Sequence, residues 1–407
     1  MIRWSLPVAC LLALTAHAGA PQSPAPAAEV RPSGVIFANF DKNVRPQDDL
    51  YRHVNGGWLA RTEIPSDRSN YGTFIKLQDD VQANLKVIVE EAAAAKAPQG
   101  SEQQAVGDFY ASFMDEARAE RLGLAPLAPE FARIAAIEDR AGLLDYLARA
   151  TVVGIANPVA VGILPDPKRP DVNTVWVVQS GLAMPDRDYY LKDEANFAEI
   201  RAAYVAYVTD VLAMAGRKDA AAAAKRVMDF ETRLAQASWT QVAMRDEQKA
   251  YNPFDVAGAS KATPGIDWAR YFAQVGIEGH DHLILRQPSY VADVGKAIGE
   301  VPLETWKDYL QVRAIDAYAP YLNDALVQRH FEFYGRTISG TPQILPRWRR
   351  GLDETENAIG DLVGKAYVAK HFPPLAKQRM DELVANLLKA FGSSIDELEW
   401  MSPETRR

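Results

Sequence analysis

Residues 344–401 read ILPRWRRGLDETENAIGDLVGKAYVAKHFPPLAKQRMDELVANLLKAFGSSIDELEWM. Trp348, Leu352, Thr355, Ile359, Leu362 and Ala366 follow one another in steps of four and three. That rhythm keeps one face of a helix apolar. Phe372-Pro373-Pro374 stops the helix, because proline has no amide hydrogen and restricts the residue before it. A second helical run follows at Met380, Leu383, Val384, Leu387, Leu388 and Phe391, with Gly392 in the position of a C-cap. The stretch therefore reads as a helical hairpin. Beyond it, Ser402-Pro403-Glu404 has the form of a helix opening: a side-chain acceptor, a proline in the first turn, and an acid near the positive end of the dipole. Residues 402–407 are expected to be the start of a truncated helix, and the chain to end inside a larger architecture. The competing expectation is a frayed polar tail.

Outward from this stretch, 407 residues exceed the usual single core, so two lobes are expected. A hydrophobic content of 48% with 24% charged residues is globular composition. The formal net charge of −8 argues against a general nucleic-acid or anionic-membrane binder. Residues 1–18 have the pattern of a secretory signal: Arg3, the apolar run Leu6 to Leu14, and Ala16-His17-Ala18 as an A-x-A cleavage site. The apolar run is too short to span a bilayer, and no later segment is long and apolar enough. The expected location is periplasmic or secreted. Cys10 does not fit a lipoprotein site, because Pro7 stands three residues before it and the apolar run is short. Cleavage after Ala18 leaves no cysteine, so an exported chain relies on its core rather than on disulfides.

Residues 19–39 form a flexible leader rich in Pro and Ala. A short helix follows from Pro46, with Asp48 and Asp49 at its start and Gly56-Gly57 at its end. The spacing predicts further helices over 74–96, 101–121, 126–138, 140–150, 194–215, 217–249, 302–318 and 323–338. Residues 159–164 and 172–178 read as a β-hairpin with the longer loop 165–171, the one clear strand signal. Residues 251–300 mix short helices and loops.

Side chains able to carry chemistry are few. His53, His280, His282, His330 and His371 contain no pair four apart, as a helical zinc motif requires. His280-Asp281-His282 beside Gly279 reads as a polar loop. Gly360 to Lys365 is one residue short of a phosphate loop and lies inside a predicted helix. Arg347-Trp348-Arg349-Arg350 sits within two turns of Asp353, Glu354 and Glu356, which predicts a helix surface with internal ion pairs. Asp186-Arg187-Asp188-Tyr189-Tyr190 reads as a buried structural network or a capped helix start. No catalytic or metal constellation emerges from composition and spacing.

Seven segments in order nonetheless resemble the neprilysin and endothelin-converting-enzyme family of zinc metallopeptidases. They are Asp48-Asp49-Leu50-Tyr51 through Gly56-Gly57-Trp58; Ile64-Pro65 with Tyr71-Gly72-Thr73-Phe74; Gly181 to Tyr190; Arg245-Asp246 with Tyr251-Asn252-Pro253; Phe331-Glu332-Phe333-Tyr334-Gly335; Pro346 to Arg350; and Trp400-Met401-Ser402. The resemblance covers residues 40–401. It implies a mainly α fold: a helical cap lobe with a small β-hairpin (86–339), plus helices (40–85 and 340–401) belonging to a second, incomplete catalytic lobe. The complete family enzyme holds zinc through two His and a Glu, with the Glu inside H-E-x-x-H as general base. Those groups would lie downstream, so this chain is expected to carry no cofactor of its own. Its implied partners are peptides and the missing C-terminal lobe. On the substrate side, Asn70 stands where animal members carry an arginine that grips a C-terminal carboxylate. Phe74 matches an aromatic residue lining the pocket after the cut. Ile75 and Gln78 stand where the family can carry charge. An amide at 70 cannot make a bidentate clamp, which favours endopeptidase use. The alternative reading is a stand-alone exported peptide-binding or scaffold protein.

Overall fold

The computed structural model describes residues 34–406, and the expected signal peptide, Cys10 and most of the leader lie outside the described residues. The chain divides into two compact units, residues 1–63 and 64–407.

In the first unit, α1 spans Leu50–Arg61, and Asp49 caps it by accepting from the Arg52 amide. The helix runs straight through Gly56-Gly57, which had been expected to end it. The glycines serve close approach instead. A Cβ at Gly57 would stand 2.9 Å from the Phe40 carbonyl oxygen and 3.1 Å from that of Asn39. Residues 37–41 therefore lie against the helix, held by Arg61 donating to the carbonyls of Ala38 and Gly57 and by the Asp41 amide donating to His53.

The second unit is mainly helical. Its helices are α2 (Thr73–Ala94), α3 (Glu102–Met114), α4 (Glu116–Leu122), α5 (Ala128–Ala135), α6 (Arg140–Val152), α7 (Asp188–Leu191), α8 (Ala195–Met214), α9 (Ala220–Ala237), α10 (Gln241–Met244), α11 (Glu247–Ala250), α12 (Val256–Ala262), α13 (Trp268–Val275), α14 (Pro288–Glu300), α15 (Leu303–Tyr318), α16 (Asp324–His330), α17 (Arg347–His371), α18 (Pro374–Asp396) and α19 (Pro403–Arg406). Two expected helices are broken by local capping. Asp115 leaves the helical region and caps α4 through the Arg118 amide; Ser238 is extended and ends α9. A π-helix, Phe331–Ile338, continues α16.

The expected hairpin belongs to a larger sheet. Strands β1 (Val159–Asp166), β2 (Arg169–Gln179), β3 (Pro253–Asp255) and β4 (His282–Leu285) lie in the order β1-β2-β4-β3. β2 and β4 pair in parallel, and the other two pairings are antiparallel. The predicted loop 165–171 shrinks because Asp166 is buried and organises a tight turn. Its carboxylate accepts from the Lys168 amide (2.9 Å), the Arg169 guanidinium (3.0 Å) and the Tyr251 hydroxyl (3.1 Å). His282 opens a strand rather than lying in a loop. Leu283, Ile284 and Leu285 behind it are buried, a run too short to announce itself.

Two hydrophobic cores organise this unit. The larger is built from residues between Leu127 and Phe333 and includes the fully buried Trp268, Trp306, Tyr204, Tyr207, Tyr290 and Tyr309. The smaller joins α2, α3 and α17 through Leu85, Ile88, Val89, Val106, Tyr110, Leu352 and Val363. α2 and α3 approach so closely at Gly107 that a Cβ there would meet the Ala92 carbonyl at 2.5 Å.

The decisive hairpin forms, with Phe372-Pro373 between α17 and α18, but α17 is kinked at Ile359, whose backbone (φ −140°, ψ 36°) leaves the helical region in the middle of the predicted run. α18 continues through Gly392 to Asp396, so that glycine is not its cap. Ser402 does cap the short α19, accepting from the Thr405 amide at 3.2 Å. The apolar face of α17 is covered by this chain's own residues: Trp348, Ile359, Leu362 and Ala366 pack beside Leu352 and Val363. α18 differs. None of its residues is buried, and Leu375, Met380, Leu383, Val384, Leu387, Leu388 and Phe391 are 48–67% exposed.

Candidate functional site

The substrate-side residues named from the resemblance gather at the start of α2. Asn70 lies exposed two residues before Gly72, the N-cap, whose extended backbone supplies no side-chain acceptor. Phe74 and Gln78 are one helical turn apart and so share a face. Phe74 is 89% exposed, and Leu77 and Val81 extend the uncovered apolar stripe along the helix. Ile75 is half-buried. A phenyl ring this exposed has almost all of its burial energy still to gain, about 1.5–3 kcal/mol for a large apolar side chain. The chain thus presents an aromatic and a neutral amide side by side, with a second neutral amide just upstream.

An ion-pair network on the other side of the helix holds this turn in place. Asp79 accepts from Arg349 of α17 at 2.7 Å and from Arg68 of the preceding loop. Asp67 faces both guanidinium groups, at 3.7 and 3.9 Å. All four side chains are largely screened from water, so each bond is worth more than a surface pair. One turn on, Gln82 donates to Asp353 at 2.7 Å, and Lys86 lies 4.8 Å over the Trp348 ring. Burial, then the neighbouring Glu354, pushes the Asp353 carboxyl up. Ser66 and Gln343 pair through backbone and side chain, at 2.9 and 2.8 Å.

This arrangement corrects the expectation for Arg347 to Arg350. Their partners are not the acids along their own helix. Arg347 donates twice to the Phe113 carbonyl (2.6 and 3.1 Å), Arg349 reaches α2, and Arg350 donates to the Leu345 carbonyl. Contacts between residues some 270 positions apart leave no local signal.

The Asp186 to Tyr190 motif divides between the two readings: Asp186 accepts from the Asp188 amide (2.8 Å) at the start of α7, and Tyr190 joins a buried structural network. Glu231 is fully buried and accepts from Tyr190 (2.6 Å) and Tyr204 (2.8 Å). Arg313 stands 3.7 Å from Glu231 and 2.6 Å from Asp316, which also accepts from Tyr334. Burial pushes the Glu231 carboxyl up, against the pull of Arg313 and the two hydroxyls. Most of these groups find partners inside the larger core, although the buried Nε of Arg313 has none among the described residues, and the Tyr190 bond holds the segment around α7 against α9.

The described residues do not fit the zinc that the resemblance implies. Among them no group of three or more His, Cys, Asp or Glu could hold a metal ion. His330 packs against the Tyr334 ring (4.5 Å) with Tyr207 edge-on beside it (6.3 Å), and His371 lies against Tyr367. Among the described residues no helix is long and apolar enough to cross a membrane.

The fold is mainly helical with one small mixed sheet, and the turn at Phe74 stands exposed beside the ion-pair network. Residues 46–407 match the model of peptidase family M13, and the chain belongs to that family. It is similar to the Mycobacterium tuberculosis zinc metalloprotease Zmp1 in complex with an inhibitor, at 38% identity and a TM-score of 0.85 over 92% of this chain and 57% of that one. It is 27% identical to endothelin-converting enzyme 1 of Mus musculus, over 98% of this chain and 53% of the relative. PepO of Lactobacillus rhamnosis shares the fold at 21% identity, with a TM-score of 0.75. The chain spans about half the length of the curated relatives it matches.

Proposed function

We propose that this chain is the substrate-enclosing N-terminal portion of an exported zinc endopeptidase, inactive alone, whose metal-binding residues lie outside residues 1–407. Residues 86–339 act as the cap lobe. Residues 40–85 and 340–401 face a catalytic lobe. The observation that carries this reading is α18, whose apolar side chains form a continuous stripe open to water. A stripe of that size on a soluble protein marks an interaction surface. Membership of the M13 family supports a catalytic lobe as its occupant.

Peptides are the substrate class. Phe74 contributes an apolar wall, and Gln78 and Asn70 offer neutral hydrogen-bonding groups to a peptide backbone. With no guanidinium at 70, a free C-terminal carboxylate gains no special grip, so cleavage within longer chains is favoured. Residues 1–18 act as the export signal.

The test is metal analysis and peptide hydrolysis, on the purified chain alone and mixed with the separately produced C-terminal region of an M13 relative. The expected result is no stoichiometric zinc and no cleavage by the chain alone, with cleavage restored in the mixture. One tight zinc per isolated chain would overturn the reading. In the restored enzyme, Asn70→Arg should improve KM for peptides with a free C-terminus near the cut by about tenfold, the scale of a charge-assisted bidentate contact.

A further inference from the structure

A cavity of about 510 Å3 lies at the seam between the two cores of the larger unit. That volume falls in the range of small-molecule and side-chain binding sites. Phe113 of α3 is buried at the seam, and Tyr321 meets it edge to face with ring centroids 6.1 Å apart. Tyr318 and Leu122 complete the apolar wall. Leu122 and Tyr321 remain 43% and 45% exposed, so this wall is unfilled by the chain itself.

The polar groups around it are unevenly committed. The Asp115 carboxylate accepts from the Arg118 amide, and Glu354 accepts from the Tyr321 hydroxyl. Arg347 spends Nε and Nη2 on the Phe113 carbonyl, with its guanidinium 5.1 Å over the Phe113 ring. Its Nη1 makes no hydrogen bond among the described residues. The Arg118 guanidinium has no hydrogen bond or ion pair among the described residues. The acids are therefore engaged with the chain, while one whole guanidinium and part of another remain available. That combination selects a ligand. A cation would meet two arginines. A phosphate would leave the aromatic wall in water. A neutral apolar group would strip water from Arg118 without replacing it.

We propose that this cavity binds the C-terminal residue of a peptide ending in an aromatic side chain. The ring packs against Phe113, Tyr321 and Leu122, and the α-carboxylate accepts from Arg118 and from Nη1 of Arg347. The site is distinct from the turn carrying Phe74 and does not depend on the peptidase reading.

The test is isothermal titration of the full chain with four probes: N-acetyl-phenylalanine, its amide, a hexapeptide ending in phenylalanine, and the same hexapeptide amidated. The acids should bind, the hexapeptide acid at least as tightly as the single residue, and each amide about tenfold more weakly. Arg118→Gln should erase the difference between acid and amide. Leu122→Trp, which fills the cavity from its exposed edge, should abolish binding of all four. The melting temperature of both variants should match the parent, and if Leu122→Trp does not fold, Arg118→Gln decides alone. Equal binding of acid and amide, binding undiminished by Leu122→Trp, preference for the single residue over the hexapeptide, or no binding at millimolar probe would each overturn the assignment.

Discussion

α17 and α18 are two halves of one hairpin with the same kind of apolar stripe, yet they end in different surroundings. α17 lays Leu352 and Val363 against α2 and α3, where both are all but sealed from water. α18 carries a stripe richer in leucine and buries nothing. Amphipathic spacing therefore tells which face of a helix is built to be covered, but not by what. The cover for α17 comes from residues some 250 positions earlier; no described residue covers the stripe of α18.

The largest expected effect sharpens this contrast directly. Leu352→Ala should destabilise the chain by about 2–5 kcal/mol, the cost of a buried leucine truncation, read as a shift of the urea midpoint. Leu387→Ala should stay within about 0.5 kcal/mol. Comparable losses at the two positions would break the comparison. Next comes the network that fixes the α2 turn. Asp79→Asn removes the charge that both Arg68 and Arg349 address, and should cost about 2 kcal/mol. Arg349→Lys should restore little of a geometry that uses two guanidinium nitrogens. Replacing Leu383, Leu387 and Phe391 together by Ser should lower the binding of a hydrophobic dye while leaving the urea midpoint within about 0.5 kcal/mol. Unchanged dye binding would place the exposed surface elsewhere.

The smallest effect concerns pH. Burial pushes the His330 imidazole below its ordinary value; Asp316 pulls it up and Arg313 pushes it further down. The unfolded chain then takes up a proton first, so stability falls as pH drops through about 6.5. His330→Phe should flatten that part of the stability profile. An unaltered slope would show that other groups cause it.

Much of the fold was legible in the sequence because it rests on local rules. The step of four and three from Trp348 to Ala366 marks the face of α17 that packs into the smaller core, with Leu352 and Thr355 buried and the other four half-buried, and Phe372-Pro373-Pro374 marks its end. What was missed depends on distant partners. Gly56-Gly57 reads locally as a helix stop, but residues 37–41 require that bare surface. Leu283 to Leu285 is too short to signal a strand without β2 beside it. Arg349 offered acids on its own helix and chose Asp79. The α2 turn was found through family resemblance alone. An exposed phenylalanine followed by a glutamine has no spacing signature, and the ion pairs that position it join segments far apart in the chain.

The account rests on the stripe of α18 being open in this chain and covered in the complete enzyme. Maleimide labelling of Leu387→Cys, beside Val363→Cys on α17 and in a Cys10→Ser background, tests this most directly. The expected result is labelling at position 387 at the rate of a free thiol, protection at 363, and loss of reactivity at 387 once the C-terminal region of an M13 relative is added. Protection at 387 in the isolated chain would contradict it.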